Sequence, residues 1–577
     1  MTYYTDEKQA QIVIRLLKAH GIRNVIASPG TTNMAFVGSV QTDPDFNVYS
    51  AVDERSAAYM ACGMAAHSGE PVVISCTGAT ASRNYMPGLT EAYYRKLPVL
   101  ALTSTQMQAR AGQHIAQVID RSSLPADVVR LSVDLPIVKD GDDIWECELK
   151  VNKAILELTR RGGGPAHINL PTAYSRSYEK IDLPTYRVIS RWTESDDLPA
   201  LKGRVGVFVG SHKIWTAEET AALEAFCEVN NAAVFCDHTS GYHGKYRILV
   251  ALLGGQEGKD KSAFQPDIHI HLGEVSGDYY AHPLGGKEVW RISPDGELRD
   301  TFRKLRHVFE MPESRFFRSY SEGPASDMSY YRTCKAGLED MRTKLPEVPF
   351  SNIWLASQFA HQVPARSVVH FAILNSLRAW NFFELPPSVV SASNVGGFGI
   401  DGCMSTLIGA AQTNPDQLFY LVIGDLAFFY DMNSLGNRHL GPNIRILLVN
   451  NGKGTEFTQH GHHGEVYSHN ADLFVAADGH FGNKSPELVK SYTQALGLDY
   501  KSVASKAECA SGLTSFFSPE KHDRAMLVEA FVDAEDESKA LKMLRNLDPD
   551  KSVRTRRAVK EMVGEGNIKI AKRILRR

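Results

Sequence analysis

Residues 418–451 read Leu-Phe-Tyr-Leu-Val-Ile-Gly-Asp-Leu-Ala-Phe-Phe-Tyr-Asp-Met-Asn-Ser-Leu-Gly-Asn-Arg-His-Leu-Gly-Pro-Asn-Ile-Arg-Ile-Leu-Leu-Val-Asn-Asn. An apolar run, Leu418–Ile423, stops at Gly424-Asp425; a helical segment follows; a second apolar run, Ile444–Val449, stops at Asn450-Asn451. Short apolar runs on either side of a helix read as buried parallel strands. Two strand ends lying side by side bring Asp425 and Asn451 to one point above the sheet. A carboxylate, an amide oxygen and a backbone carbonyl, beside the oxygens of a diphosphate, make the hard oxygen shell that Mg²⁺ takes. The first N–H groups of the helix after Asp425 face the same anion. The bland alternative is a turn at Gly-Asp and a cap at Asn-Asn.

Outward from this unit, apolar runs alternate with helical stretches through most of the chain: Asn24–Ser28, Val72–Cys76, Pro98–Thr103, Val205–Val209, Ala232–Cys236 and Asp267–Leu272. That alternation predicts an α/β protein of doubly wound parallel sheets. A first boundary follows Gly164-Pro165-Ala166-His167-Ile168-Asn169-Leu170-Pro171, where a polar linker begins, and a second falls near Lys344–Phe350. The expected domains are 1–185, 186–345 and 346–577, each of ordinary size.

Composition narrows the function. The 577 residues are 43% hydrophobic and 22% charged, with a net charge of −3. Nothing there calls for nucleic acid, and no apolar run of about 18 residues calls for a membrane. Eight scattered cysteines without a Cys-x-x-Cys pair fit reduced thiols in a cytoplasmic protein. The segment 548–577 holds ten Lys/Arg and four Asp/Glu, and its apolar spacing predicts an amphipathic helix on a subunit surface.

In the N-terminal block, Ser28-Pro29-Gly30-Thr31-Thr32 and Cys76-Thr77-Gly78-Ala79-Thr80 are turns after strands, with Asn84 shortly beyond the second. Asp53-Glu54-Arg55 opens a small-residue helix between them. Alone, Glu54 would read as a capping carboxylate on a surface helix.

With these residues placed, the chain resembles the thiamine-diphosphate-dependent decarboxylases and carboligases, the superfamily of acetolactate synthase and pyruvate decarboxylase, over nearly its whole length. Within it the chain is most similar to the menaquinone-pathway 2-succinyl-5-enolpyruvyl-6-hydroxy-3-cyclohexene-1-carboxylate synthases. The matching residues are Ser28-Pro29-Gly30, Asn375-Ser376, Ser393-Asn394, Gly399-Ile400-Asp401-Gly402 and Gly424-Asp425-Leu426. The resemblance implies a pyrimidine-binding domain, a central domain and a diphosphate-binding domain, with thiamine diphosphate and Mg²⁺ as cofactors. Glu54 would be the acid at N1′ of the pyrimidine, promoting the imino tautomer, a role suited to a desolvated carboxyl. Asp425, Asn451 and the carbonyl of Lys453 would hold Mg²⁺. Pro29, Gly30, Thr77, Asn84, Asn375, Ser376, Gly424, Leu426 and Ala427 would contact the cofactor, and Ile400 would be the wedge that bends it. Glu54 acting across a dimer interface implies a homodimer or homotetramer.

The departures concern substrates. Thr32, Gln106 and Val395 stand where the synthases carry arginine, and Trp380 occupies the position four after Ser376. Neutral side chains do not replace bidentate guanidinium recognition of carboxylates. The expected donor is therefore a small 2-oxo acid such as pyruvate, with Arg378 compensating in part, and a second carbonyl compound as acceptor. Gln113, His114 and Gln117 are the polar candidates near the reacting carbon. His460, His462 and His463, set among glycines, suggest a mobile loop more than a zinc site. The central block has no Gly-x-Gly-x-x-Gly after a strand, so a flavin or nicotinamide dinucleotide is not expected. The predicted activity is carboligation. Simple decarboxylation, or a member that keeps the fold without catalysis, are the alternatives.

Overall fold

The computed structural model describes residues 2–472, 474–478 and 485–550. The basic segment beyond 550, expected as an amphipathic helix, lies outside the described residues. The chain divides into two compact units, residues 1–193 with 296–310, and residues 194–295 with 311 onward.

Three parallel sheets organise the α/β fold. The first orders its strands Asn47–Ser50, Asn24–Ala27, Val72–Cys76, Val99–Thr105, Ala166–Pro171 and Leu131–Asp134, all parallel. The last repeats that topology with Val390–Ser393, Val368–Phe371, Phe419–Gly424, Ile444–Asn450, Met526–Phe531 and Asp499–Val503. In the second unit the middle sheet runs Arg247–Leu249, Ala232–Cys236, Val205–Val209, Ile268–Leu272 and Glu288–Ile292. The strands expected from the apolar runs appear within two residues of their predicted ends.

Burial on both faces explains why those runs lack alternation: every residue of Val72–Cys76, Val205–Val209 and Ile444–Asn450 is buried. Arg445 is a polar exception at 0% exposure, and it donates to the carbonyls of Phe516 and Ser518, each at 2.6 Å.

The helix Glu54–Ser68 starts where the Asp53 carboxylate accepts the Ser56 N–H at 2.9 Å, and stops at Gly69 with φ 73°. It buries Ala57, Ala58, Ala61 and Ala65. A Cβ on Gly88 would lie 2.4 Å from that of Ala58, so the neighbouring helix Met86–Arg95 needs glycine at this contact. All eight cysteines are free and buried. Among the described residues no helix is long and apolar enough to cross a membrane.

Candidate functional site

In the last sheet, Gly424 pairs in register with Val449. The two strand ends are therefore level, and Asp425 follows one while Asn450 and Asn451 follow the other. Asp425 is 1% exposed and begins the helix Asp425–Asp431, so Leu426 and Ala427 offer their N–H groups at that end. Asn451 donates to the Thr455 hydroxyl at 3.0 Å. The Asn375 amide lies 2.8 Å from the same hydroxyl. With its oxygen turned to Thr455 and to the Glu456 N–H, Asn375 gives its nitrogen to the Glu456 carboxylate at 2.5 Å. Thr455 thus ties the loop after strand Val368–Phe371 to the loop after strand Ile444–Asn450.

Between Asn451 and Lys453 the chain turns at Gly452, φ 85°, which a side chain would strain. The Lys453 ammonium is held by Asp472 at 2.7 Å, and its carbonyl accepts the Thr455 N–H at 2.9 Å. Ser376 is buried, and Leu374 before it takes φ 74°, a costly geometry for leucine. Ile400 is half-buried and packs on the core of this sheet. A buried carboxylate, an amide oxygen and a turn carbonyl that keeps a second lone pair beside the Thr455 N–H form a donor set suited to a small hard cation. Behind it, burial pushes the Glu537 carboxyl up to about 7, and the Asp425 charge adds to the rise.

A cavity of about 790 Å³ in the second unit has Leu374, Arg378, Phe398 and Glu456 among its lining residues. Arg378 is ion-paired with Glu456 and lies 4.8 Å from the Tyr279 ring centroid. On the next residue the pattern recurs: Arg545 lies 5.4 Å from the Tyr280 ring and 3.0 Å from the Glu257 carboxylate. Glu257 also accepts from the His460 ring at 3.1 Å, and these partners, His460 first, hold it at about 2. Lys261 on the same wall is pulled below its usual range by burial and then by Arg545. In the segment expected as a mobile loop, the His460 ring meets the Glu257 carboxylate at 3.1 Å and the Ser538 hydroxyl accepts its backbone N–H at 3.0 Å. Among the described residues no group of three His, Cys, Asp or Glu side chains could hold a metal ion.

The first unit gathers its own candidates. Asn84 donates to Glu54 at 3.3 Å, and Glu54 is half-buried at its helix start. Gly30 lies so close to Thr77 that a Cβ there would meet the Thr77 side chain at 2.1 Å. Pro29 and Gly30 border a cavity of about 450 Å³ with Asn33 and Tyr178. Gln113, His114 and Gln117 are exposed on the connection after strand Val99–Thr105, and His114 and Gln117 take φ 56° and 64°. The Gln117 Oε1 stands 3.1 Å from where a Cβ on Gly78 would be.

The departures from the synthase pattern have structural roles. Trp380 is 1% exposed and donates to Asn352 at 3.0 Å. Val395 is buried, and Thr32 shares a 2.6 Å hydrogen bond with Thr77. Gln106 accepts from Arg110 at 2.5 Å, so an exposed guanidinium stands in that loop after all. Sequence reading missed Thr455, Glu456 and Tyr279. Thr455 and Glu456 lie within five residues of Asn451, a signal that was available; Tyr279, in another sheet, gave none.

Residues 7–124 match the model of the family described as thiamine pyrophosphate enzyme, N-terminal TPP binding domain. Over 93% of this chain and 98% of theirs, the 2-succinyl-5-enolpyruvyl-6-hydroxy-3-cyclohexene-1-carboxylate synthases of Bacteroides fragilis and Phocaeicola vulgatus are 29% identical to it. The synthase of Desulfotalea psychrophila is 27% identical over 89% of this chain and 96% of its own. Among solved structures, the thiamine diphosphate-dependent 4-hydroxybenzoylformate decarboxylase of Rhodococcus jostii RHA1 aligns with 91% of this chain and 99% of its own, at 15% identity and a TM-score of 0.40.

Proposed function

We propose that the chain is a thiamine-diphosphate-dependent carboligase: it decarboxylates a 2-oxo acid and joins the acyl fragment to a carbonyl acceptor. The register that sets Asp425 beside Asn450 and Asn451 carries the reading. Asp425, Asn451 and the Lys453 carbonyl hold Mg²⁺. Asn375, Ser376 and the N–H groups of Leu426 and Ala427 hold the diphosphate, with Gly424 at its edge. Ile400 would pack against the cofactor, and Pro29, Gly30, Thr77 and Asn84 would line its pyrimidine end. Bound thiamine diphosphate supplies an electron sink for the pair left when CO₂ departs.

Glu54 keeps a proton at the pyrimidine N1′. A carboxyl there must come from a second copy if the site is shared, and Val52, Tyr59 and Met60, at 76%, 48% and 43% exposure around Glu54, offer an apolar face for one. Gln113, His114 and Gln117 handle protons and orient the acceptor. The domains 1–185, 186–345 and 346–577 serve as pyrimidine-binding, central and diphosphate-binding parts of a cytoplasmic homodimer or homotetramer.

For the donor, Arg378 supplies the cation for the carboxylate of a pyruvate-like acid. A second reading has a specific support: the relatives' product carries a succinyl group, which corresponds to a donor with a second carboxylate, and Lys261 and Arg545 provide charge on the same cavity wall. CO₂ release from pyruvate and from 2-oxoglutarate, each with and without aldehyde and cyclic enoate acceptors, decides between them. Carboligation is overturned if every donor yields only its aldehyde whatever acceptor is offered.

A further inference from the structure

Arg121 is 2% exposed, yet it makes no ion pair among the described residues. Its Nη1 donates to the Gly78 carbonyl at 3.0 Å and its Nη2 to the Ser104 carbonyl at 2.7 Å, while its Nε has no partner among the described residues. Burial pulls its pKa down, the nearby Arg83 adds to that, and the Asp134 charge opposes it. A guanidinium taken out of water without a carboxylate is costly. Two backbone carbonyls alone do not explain the residue, because water or a hydroxyl satisfies a carbonyl at less cost.

Its partners lie at the carboxyl ends of neighbouring strands, since Cys76 pairs with Thr103. The Ser104 carbonyl also accepts the Thr32 hydroxyl at 3.0 Å, and Thr32 in turn shares its 2.6 Å bond with Thr77. The turns after Ala27 and Cys76 are thereby tied to the end of strand Val99–Thr105 as one ledge. Gly78 opens the helix Ala79–Asn84, whose last residue donates to Glu54. Arg121 lies on the same connection as Gln113, His114 and Gln117, between strands Val99–Thr105 and Leu131–Asp134, and Gln117 rests against Gly78.

We propose that Arg121 is a positioning residue: by gripping the Gly78 and Ser104 carbonyls it fixes the turn that sets Gln117 and the Asn84–Glu54 pair at the pyrimidine end. It touches neither cofactor nor substrate. The inference rests on the functional reading above, which assigns Glu54 and Gln117 to that end.

The test uses the full chain as wild type, Arg121→Lys, Arg121→Ala and Glu54→Gln. Lysine keeps the charge but cannot bridge two carbonyls. Amide hydrogen exchange without cofactor reads the turn, and the rate of C2 proton exchange in bound thiamine diphosphate with Mg²⁺ reads its consequence. In Arg121→Lys, amides of residues 77–84 exchange at least about tenfold faster while the strand Val72–Cys76 is unchanged, and C2 exchange slows at least about fivefold with cofactor Kd within about threefold. Methylguanidinium restores C2 exchange in Arg121→Ala and not in Glu54→Gln. Smaller changes in Arg121→Lys, or no restoration in a folded Arg121→Ala, overturn the inference. If Glu54→Gln itself exchanges C2 at the wild-type rate, the functional reading fails instead. Should Arg121→Ala not fold, the two exchange rates of Arg121→Lys decide alone.

Discussion

Arg378 and Glu456 form an ion pair in which both side chains are mostly buried, at 14% and 16% exposure, on the wall of the second unit's cavity. Glu456 also takes the Asn375 amide, so one carboxylate links the cation to the loop assigned to the diphosphate. An arginine already neutralised can receive a donor carboxylate only by sharing or releasing its partner. Arg378→Met therefore raises KM for a 2-oxo acid, by about 10- to 100-fold for one lost charge-assisted contact. Glu456→Gln has the opposite sign and lowers KM, because it removes the internal competitor. Steady-state CO₂ release from both variants checks the pair, and a KM that moves the same way in both sinks it.

Glu54 makes a side-chain hydrogen bond with Asn84 and is half-buried. Glu54→Gln preserves the shape and an acceptor but cannot keep a titrating proton at N1′. Turnover falls by about 10²- to 10⁴-fold, the usual range for a lost acid–base group. The melting temperature stays within a degree or so, since the one side-chain hydrogen bond at stake, from Asn84 at 3.3 Å, can still be accepted by the glutamine oxygen. Turnover within tenfold of wild type would remove Glu54 from the mechanism.

Val52 is 76% exposed beside that carboxyl. An aspartate there costs the isolated fold little but places a charge in any apolar interface built on this face. Val52→Asp shifts the assembly toward monomer in sedimentation velocity and lowers activity in parallel, with activity returning at high protein concentration. An active monomer would show that the site is complete in one chain.

How far the sequence reached depends on how each signal is encoded. Strands buried on both faces leave uninterrupted apolar runs, so Val72–Cys76, Val205–Val209 and Ile444–Asn450 were legible without an alignment. Asp425 and Asn451 were legible too, because parallel register converts two strand ends into one place. The environment of Arg378 was not: Tyr279 comes from another sheet, and spacing along the chain says nothing about contacts between sheets. Trp380 was read as a substrate position but is core, since its Nε1 finds Asn352 inside. Arg121 carries no local pattern as a lone arginine before Ser-Ser, and only burial makes it notable.

Asp425 is 1% exposed and, with Asn451 and the Lys453 turn, forms the proposed Mg²⁺ shell. Cofactor and metal together at a hundredfold excess over Kd stabilise the folded state by about 2.7 kcal/mol. Wild type should therefore melt several degrees higher with thiamine diphosphate and Mg²⁺, and EDTA should cancel the rise. Asp425→Asn should show no rise at the same concentrations. If it does rise as wild type does, Asp425 is not a ligand.

Asp278 is 1% exposed, with one carboxyl oxygen accepting the Tyr280 N–H at 2.8 Å and the other without a hydrogen-bond partner among the described residues. Burial pushes its pKa up from 3.8 to about 7, the Asp237 charge adds to the rise, and Arg378 opposes it. A carboxyl whose folded pKa lies above its unfolded value favours folding while protonated. That contribution is complete below about 3.8 and is lost as pH climbs through about 7. Asp278→Asn fixes the neutral state, so its melting temperature should equal wild type only below about pH 3.8, already exceed it at pH 5, and gain further on it until the difference levels off above about 7. Asp237→Asn should instead destabilise, because Asp237 accepts from Thr239 at 2.6 Å and from Ser276 at 2.6 Å. Calorimetry of the three proteins from pH 5 to 8 reads both signs, and a flat difference between wild type and Asp278→Asn would mean that Asp278 does not titrate in that window.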